Sequence, residues 1–140
     1  MGGYGMKRGD KELLLRDLCA RLPYGVKMNH IADDEHSPST LIGIAKYMIT
    51  LEGLGGYECV DVEHYKPYLF PLSSMTEGQI EEAKTYFWKD VDYGKNLADK
   101  GINCFYPCFN ILEFYHKYHL DYRGLIEKGV AIDCTNLNIY

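Results

Sequence analysis

The stretch from Thr40 to Val62, TLIGIAKYMITLEGLGGYECVDV, decides the fold class of this chain. Its first half, Thr40 to Leu51, is rich in β-branched and aromatic residues and predicts one long or two short strands. The run from Gly53 to Gly56 predicts a turn, and Tyr57 to Val62 predicts the strand that follows it. We therefore expect an antiparallel meander at this point of the chain.

The segments before the meander predict one helix and one further strand. Asp10 is a suitable N-cap for a helix from about Lys11 to Leu22, in which leucines recur at helical spacing, and Pro23 ends it. The stretch from Val26 to Ile31 alternates apolar and polar positions, with His30 in the inward-facing set. The meander is thus expected to gain a strand, with one helix before it in the chain.

The segment after the meander, His64 to Leu72, contains Pro67 and Pro71. Proline lacks the N–H group that a ladder requires, and it is found mostly on edge strands. We expect this segment to be an extended edge, or a path that crosses the end of the sheet.

Two capping boxes predict helices in the second half of the chain. Thr76 and Gln79 form a T-x-x-Q box, with Met75 and Ile80 at the staple positions, before a helix from Glu77 to about Lys89. A second box, with Asn110 as the N-cap and Glu113 three residues on, predicts a helix to about His119. The stretch from Asp121 to Lys128 predicts a short helical turn that Gly129 stops, and Val130 to Cys134 predicts a last strand.

Together these signals predict a single α+β domain over residues 11–140, after a flexible N-terminal segment at residues 1–10. Strand signals precede Thr76 and helix signals follow it. The expected architecture is an N-terminal helix, a small curved antiparallel sheet or open barrel, two C-terminal helices and the last strand.

Composition narrows the classes of function. The chain has 140 residues, 46% of them hydrophobic, and a formal net charge of −5. The acidic balance disfavours binding to an extended nucleic acid, which requires several phosphates to be neutralised at once. Apolar runs are only a few residues long, such as Leu13 to Leu15, and no signal segment is recognisable, so we expect no membrane association and a cytoplasmic location.

The five cysteines are odd in number, so reduced thiols are expected rather than a disulfide framework. Cys104, Cys108, His116 and His119 supply four nitrogen and sulfur ligands of the kinds that zinc prefers. However, the seven-residue gap between the two pairs is shorter than in zinc fingers. The simpler interpretation is that the cysteines are small buried apolar residues and the histidines are partners of neighbouring tyrosines. We predict no metal site and no cofactor, with the zinc site as the alternative.

Signatures of catalysis are missing from the sequence. It contains no G-x-S-x-G, no P-loop and no G-x-G-x-x-G. Cysteines and histidines are present, but no local pattern joins a nucleophile to a base and an orienting carboxylate. An enzyme is therefore disfavoured, and a small hydrolase using Cys or His remains an alternative.

A binding function has more support, because tyrosine is unusually frequent, with 13 residues. One aromatic and cationic stretch contains His64, Tyr65, Lys66, Tyr68 and Phe70, and another contains Tyr115, Tyr118, Tyr122 and Arg123. If folding brings the two stretches together, the rings stack a base while the cations contact a phosphate or a carboxylate. The alternative is that these tyrosines pack against the core and keep their hydroxyls wet.

Three stretches carry a resemblance to a family of small proteins encoded by phages, prophages and mobile elements of gut anaerobic bacteria. They are KELLLRDLCARLPYGV (Lys11 to Val26), YKPYLFPLSSMTE (Tyr65 to Glu77) and DYRGLIEKGVAID (Asp121 to Asp133). The family shows a similar R-L-P-Y-G-V opening, K-P-Y-L-x-P-[LM]-S-S-M-T centre and D-Y-R-x-L-I ending, in that order. The resemblance covers about a third of the chain and implies no particular activity.

What the resemblance implies is a phage or mobile-element accessory protein, of the kind that acts on host machinery or host immunity. We expect a non-enzymatic counter-defence protein in the bacterial cytoplasm, which binds and sequesters a small nucleotide-like ligand through Tyr65, Lys66, Tyr68, Tyr122 and Arg123. The alternative is an inhibitor that binds the surface of a host protein. A protein that sequesters a small ligand often needs an oligomer interface to close its binding pocket, so a homo-oligomer is a further alternative.

Overall fold

Three helices and seven strands make up the described part of the chain. The computed structural model describes residues 6–53, 55–85 and 106–140, with the backbone alone for 106–110. The helices are α1 (Arg8–Arg21), α2 (residues 77–85) and α3 (Tyr106–Lys117). The strands are β1 (Lys27–His30), β2 (Ser39–Ala45), β3 (Met48–Gly53), β4 (Gly56–Asp61), β5 (Tyr65–Pro71), β6 (Leu120–Asp121) and β7 (Ile132–Asp133). No helix within these ranges has the length and apolar character that crossing a bilayer requires.

The strands form one open mixed sheet across the described ranges. Its order is β4-β3-β2-β1-β5-β6, and β7 also pairs with β5. The pairings from β4 through to β5 are antiparallel, whereas β6 and β7 run parallel to β5. The α+β class and the N-terminal helix are confirmed. The sheet is mixed rather than wholly antiparallel because the chain passes through helices before it returns to β5, and such crossovers join parallel strands.

The meander forms as the sequence predicts, with Thr40 to Leu51 divided between two strands. Both hairpins have two-residue loops, closed by Ala45 opposite Met48 and by Gly53 opposite Gly56. The side chains that point inward from β2 and β3 are fully buried: Leu41, Ile49 and Leu51. A register shift in β2 leaves Ile42 as an extra residue that is 40% exposed. The meander therefore has one apolar face against the core and one open face.

The strand β5 is central, so the prediction that its prolines confine it to an edge is wrong. Neighbouring residues of a strand direct their N–H groups to opposite sides. The Phe70 N–H bonds to the His119 carbonyl on the side of β6, so Pro67 and Pro71 face the side of β7. There β7 pairs only with Tyr68 and Leu69, between the two prolines. Neither proline therefore removes a bond that the sheet needs.

A tyrosine hydroxyl joins β1 to β5 where the register places Lys27 opposite Tyr68. The Tyr140 hydroxyl accepts a hydrogen bond from the Lys27 N–H at 2.9 Å and donates one to the Tyr68 carbonyl at 2.8 Å. The Tyr140 ring stacks on His119 with 3.7 Å between centroids. These contacts hold the segment that follows β7 against the sheet.

The helix α1 begins at Arg8, three residues before the predicted start. Asp10 lies inside the first turn rather than at the N-cap, so the predicted cap is wrong. A carboxylate in the first turn still interacts favourably with the positive end of the helix dipole. Leu14 and Leu18 are fully buried in the main core, and Gly25 ends the following 3₁₀ turn with a φ of +69°.

The strand β1 departs from the predicted alternation at its end. Val26 and Met28 are fully buried as expected, but His30 is exposed and Asn29 is 3% exposed. The Asn29 amide Nδ2 donates to the Asp33 carbonyl at 2.8 Å, so the loop that follows β1 supplies a polar partner for the buried side chain. The strand is covered on both faces at this point, and a two-residue period does not predict that.

The capping box before α2 is confirmed. The Thr76 N–H donates to Gln79 Oε1 at 3.0 Å, and the Gln79 N–H donates to Thr76 Oγ1 at 3.1 Å. The second box is wrong, because Asn110 lies inside α3. The predicted continuation of α2 to Lys89 lies outside the described residues. Between α2 and α3 a second, smaller core contains Ala83, Phe114 and Leu120.

Candidate functional site

Several charged and hydrogen-bonding side chains lie together where the C-terminal end of α1 meets α3 and the loop after β6. We call Asp17, Arg21, His116, Tyr122 and Arg123 the arginine cluster. Asp17 and Arg21 lie one helical turn apart on α1, on the same side as the core leucines. They are therefore directed inward, together with residues that a helix would normally bury.

The loop that carries Tyr122 and Arg123 is held by one buried carboxylate. Asp121 is 8% exposed, and its two oxygens accept the N–H groups of Leu125 and Ile126, both at 2.9 Å. Gly124 adopts a φ of +74°, which a residue without a Cβ takes at little cost. The predicted helical turn that Gly129 stops is present, because the Lys128 N–H donates to the Gly124 carbonyl at 3.2 Å and Gly129 ends the turn with a φ of +76°. These contacts fix Tyr122 and Arg123 in front of α1.

One carboxylate joins the two arginines of the cluster. Asp17 Oδ2 accepts from Arg21 Nε at 2.6 Å, and Asp17 Oδ1 accepts from Arg123 Nε at 3.0 Å. The side chains of Asp17 and Arg21 are fully buried, whereas that of Arg123 is 27% exposed. Arg21 Nη2 donates to the Leu120 carbonyl at 2.6 Å. The ion pairs therefore connect α1 to the segment that starts at β6.

The Tyr122 ring forms the aromatic wall of the cluster. The guanidinium carbons of Arg21 and Arg123 lie 5.3 and 5.1 Å from its centroid, within the range of a cation–π contact. Tyr115 stacks against the same ring at 5.2 Å, with 19° between the planes. His116 Nε2 and the Tyr122 hydroxyl are hydrogen-bonded at 2.7 Å. Both tyrosines are half-buried, so part of each ring faces solvent.

Burial, reinforced by the charge of Arg21, lowers the pKa of His116 to about 4. At neutral pH its ring is therefore uncharged. The charged members of the cluster are then two guanidinium groups and one carboxylate, which leaves one excess positive charge in a chain whose net charge is −5. By formal charge these five residues are thus cationic in a chain that is acidic as a whole.

Some donors of the two guanidinium groups have no hydrogen-bond partner among the described residues. Arg21 Nη1 is buried and has no hydrogen-bond partner within the described residues. Arg123 bonds to Asp17 through Nε, and no hydrogen bond from its two Nη groups to a described residue is found. Guanidinium groups bind carboxylates and phosphates through paired N–H donors. The arrangement is suited chemically to hold an anionic group beside an aromatic face.

The structure divides the five predicted site residues into two groups. Tyr122 and Arg123 lie together in the arginine cluster. Tyr65 is 8% exposed and donates its hydroxyl hydrogen to Glu58 at 3.1 Å, whereas Tyr68 is fully buried with its hydroxyl 2.8 Å from His36 Nδ1. Lys66 is half-buried on β5.

No hydrogen bond, ion pair or ring contact between described residues joins the β5 group to Tyr122 or Arg123. The two tyrosines of β5 pack in the interior instead, since Tyr65 belongs to the main core with leucines of α1 and the Tyr68 ring lies 5.6 Å from the ring of His36 in the loop after β1. Burial accordingly raises the pKa of the Tyr68 hydroxyl to about 12.

Pattern analysis missed Asp17 and Arg21. The signal was present, because Leu14, Asp17, Leu18 and Arg21 follow one another at i, i+3, i+4 and i+7, which is the spacing of a buried helix face. Charged residues on such a face are rarely buried unless they are paired. Their positions therefore predict buried partners, although the identity of those partners comes only from the tertiary structure.

Only two of the four side chains of the alternative zinc site lie within the described part of the chain. Cys104 and the side chain of Cys108 lie outside the described residues. His116 bonds to Tyr122, and His119 lies beyond the end of α3 with its ring stacked on Tyr140. Across the described ranges, no three His, Cys, Asp or Glu side chains are placed to hold a metal ion together.

The cluster and the fold together define an α+β protein with an arginine–tyrosine site suited to an anion. No protein-family model, curated protein or solved structure matches this chain. The argument for function therefore rests on the geometry of the arginine cluster.

Proposed function

We propose that this protein is a binding protein that sequesters a small nucleotide-like ligand at the arginine cluster. The observation that carries the proposal is the placement of two guanidinium groups against one tyrosine ring, with donors of both left over. A nucleotide offers the matching chemistry, because it joins an anionic phosphate to a flat aromatic base.

The ligand would use both parts of the cluster. Its phosphate would accept from the Nη groups of Arg123, which is partly exposed, while the fully buried Arg21 behind it would contribute its positive charge. Its base would stack on the half-buried Tyr115, whose other face lies against Tyr122 beside the two cations. Asp17 keeps the guanidinium groups oriented and limits the local charge, so a singly or doubly charged phosphate is the best match.

The cellular role follows from the resemblance to proteins of phages and mobile elements. Such a protein would act in the cytoplasm of a bacterial host and withhold a nucleotide signal from the host's defence. Sequestration needs affinity without turnover, and the cluster supports that role. The His116 ring is neutral and is hydrogen-bonded to the Tyr122 hydroxyl at 2.7 Å.

Isothermal titration calorimetry with a defined panel tests the proposal. The panel contains linear and cyclic mono- and dinucleotides, the matching nucleosides without phosphate, and inorganic phosphate. We expect one or more nucleotides to bind, and their nucleosides to bind far more weakly, because the guanidinium contacts are lost. If no nucleotide in the panel binds, or if nucleosides bind equally well, the proposal is wrong.

Variants then locate the site. Replacing Arg123 by Gln removes the exposed guanidinium and should weaken binding by roughly tenfold or more, the typical effect of losing a charge-assisted hydrogen bond. Arg16→Gln is the matched control, since Arg16 is exposed on α1 and has the same charge. Equal affinities of the two variants would place the ligand elsewhere. Thermal unfolding of each variant separates loss of binding from loss of fold.

A further inference from the structure

Within the described ranges, the strand β4 is an open edge of the sheet. No described strand pairs with its outer side, and the residues from Gly56 to Cys59 are exposed, with Tyr57 at 72%. Such an edge presents unpaired backbone groups to other chains. Proteins usually protect it with proline, lysine or a very short strand, but the six residues of β4 contain neither proline nor lysine.

The hydrogen bonds of the sheet show which residues of β4 face outward. The Val62 N–H donates to the Tyr47 carbonyl, which continues the pairing of β4 with β3. Alternate residues of a strand direct their backbone groups to the same side. Glu58 and Val60 therefore face β3, whereas Tyr57, Cys59 and Asp61 direct their N–H and C=O groups away from the sheet.

This outward set is complementary to itself. When two β4 strands pair antiparallel about Cys59, the Cys59 residues lie opposite each other, and Tyr57 lies opposite Asp61 of the second copy. Glu58 then lies opposite Val60, so no two like charges are directly opposed despite the acidic character of the chain. Like charges in such positions would oppose pairing.

The outer face of the meander adds apolar surface to the same edge. Ile42, Met48 and Tyr57 are exposed by 40, 40 and 72%. Pairing through β4 would place the faces of two copies side by side as one continuous sheet. We propose that the protein forms a symmetric dimer by antiparallel pairing of two β4 strands, with Cys59 on the two-fold axis.

Sedimentation equilibrium on the full chain tests whether the dimer exists and whether this edge forms it. We expect a dimer in the wild type. Tyr57→Lys places a cation opposite Asp61, and Tyr57→Glu places an anion there. Because the contact occurs twice in the dimer, the Lys variant should dimerise more tightly than the Glu variant, by on the order of tenfold. A monomer at every concentration, or equal dissociation constants for the two variants, would overturn the proposal.

Disulfide trapping tests the register. Opposed residues at the hydrogen-bonded positions of two antiparallel strands have Cα atoms about 5.5 Å apart, which a disulfide can bridge. In a Cys59→Ser background, Tyr57→Cys and Asp61→Cys chains are mixed and treated with diamide, which takes up the two thiol hydrogens and two electrons. We expect a 57–61 disulfide in the mixture and neither a 57–57 nor a 61–61 bond in the separate proteins, as mapped by mass spectrometry of peptides.

The peptide map also separates the bond at β4 from disulfides of the other cysteines. Circular dichroism of each variant confirms that the fold is intact. A map in which 57–57 bonds dominate would mean a different register, and a mixture without any 57–61 bond would contradict pairing through this edge.

Discussion

The meander and the arginine cluster are two ways of building the interior of the same domain. The meander joins strands that are neighbours in sequence, and the side chains it buries are apolar, such as Ile49 and Leu51. The cluster joins residues 99 and 106 positions apart, and the side chains it buries include a carboxylate and a guanidinium group. The first can form locally, whereas the second exists only when the chain has closed.

The two regions also differ in what stabilises them. Burial of apolar surface contributes directly to folding in the meander. In the cluster, attraction between Asp17 and the two arginines must offset the cost of removing their charges from water. A buried ion pair is therefore most sensitive to the loss of one partner, since the remaining charge stays buried without compensation.

The largest effect is expected from Asp17→Ala. The substitution leaves Arg21 fully buried without its carboxylate, which should lower the free energy of unfolding by about 3–5 kcal/mol. Denaturant titration measures this change. Glu12→Ala is the control, because Glu12 pairs with Arg8 at 3.4 Å on the exposed side of the same helix and should change stability by less than about 1 kcal/mol. Similar losses in the two variants would show that the buried pair is not stabilising.

The meander should respond through lost packing. Leu51→Ala truncates a side chain that is 1% exposed, and it should lower the free energy of unfolding by about 2–5 kcal/mol. The loss should lie in the lower half of that range if the sheet relaxes around the cavity. Ile42→Ala is the matched control, since Ile42 lies on the outer face of the neighbouring strand and is 40% exposed. Equal losses from Leu51 and Ile42 would contradict the assignment of the inner and outer faces.

The difference between the two regions explains how much the sequence predicts. Strand and turn patterns predict the meander, and the box of Thr76 and Gln79 predicts the start of α2, because both depend on contacts within a few residues. Local reasoning fails for β5, because Pro67 and Pro71 predict an edge strand although both lie outside the two positions at which β7 pairs with it. Both faces of β5 are covered, so Tyr65 and Tyr68 are packed inside rather than available for stacking.

For a similar reason, the sequence predicts only part of the arginine cluster. Tyr122 and Arg123 are adjacent in sequence and stand out by residue type. Asp17 and Arg21 are separated from them by about 100 residues, and only the tertiary structure shows that Asp17 accepts from Arg123. A pattern can mark the two α1 residues as buried charges, but it does not identify their partners.

The third prediction compares the two regions by how the free energy of unfolding depends on pH. Burial holds the pKa of His116 near 4 in the folded protein, whereas an exposed histidine in the unfolded chain titrates near 6.5. Between these values the unfolded chain binds more protons, so the free energy of unfolding is at its full value above about pH 6.5 and falls as the pH is lowered towards 4. His116 should account for on the order of 2–3 kcal/mol of that loss.

Denaturant titrations across this window, made on the wild type, His116→Gln and Leu51→Ala, provide the measurement. His116→Gln keeps a polar group beside Tyr122 but cannot take up the proton, so its curve should be flatter than that of the wild type. Leu51→Ala should lower the curve at every pH without changing its slope, because no titrating group is involved. Carboxylates titrate in the acidic part of the window in all three proteins, so the difference between the curves isolates the histidine. Parallel curves for the wild type and His116→Gln would mean that His116 is not held neutral by the cluster.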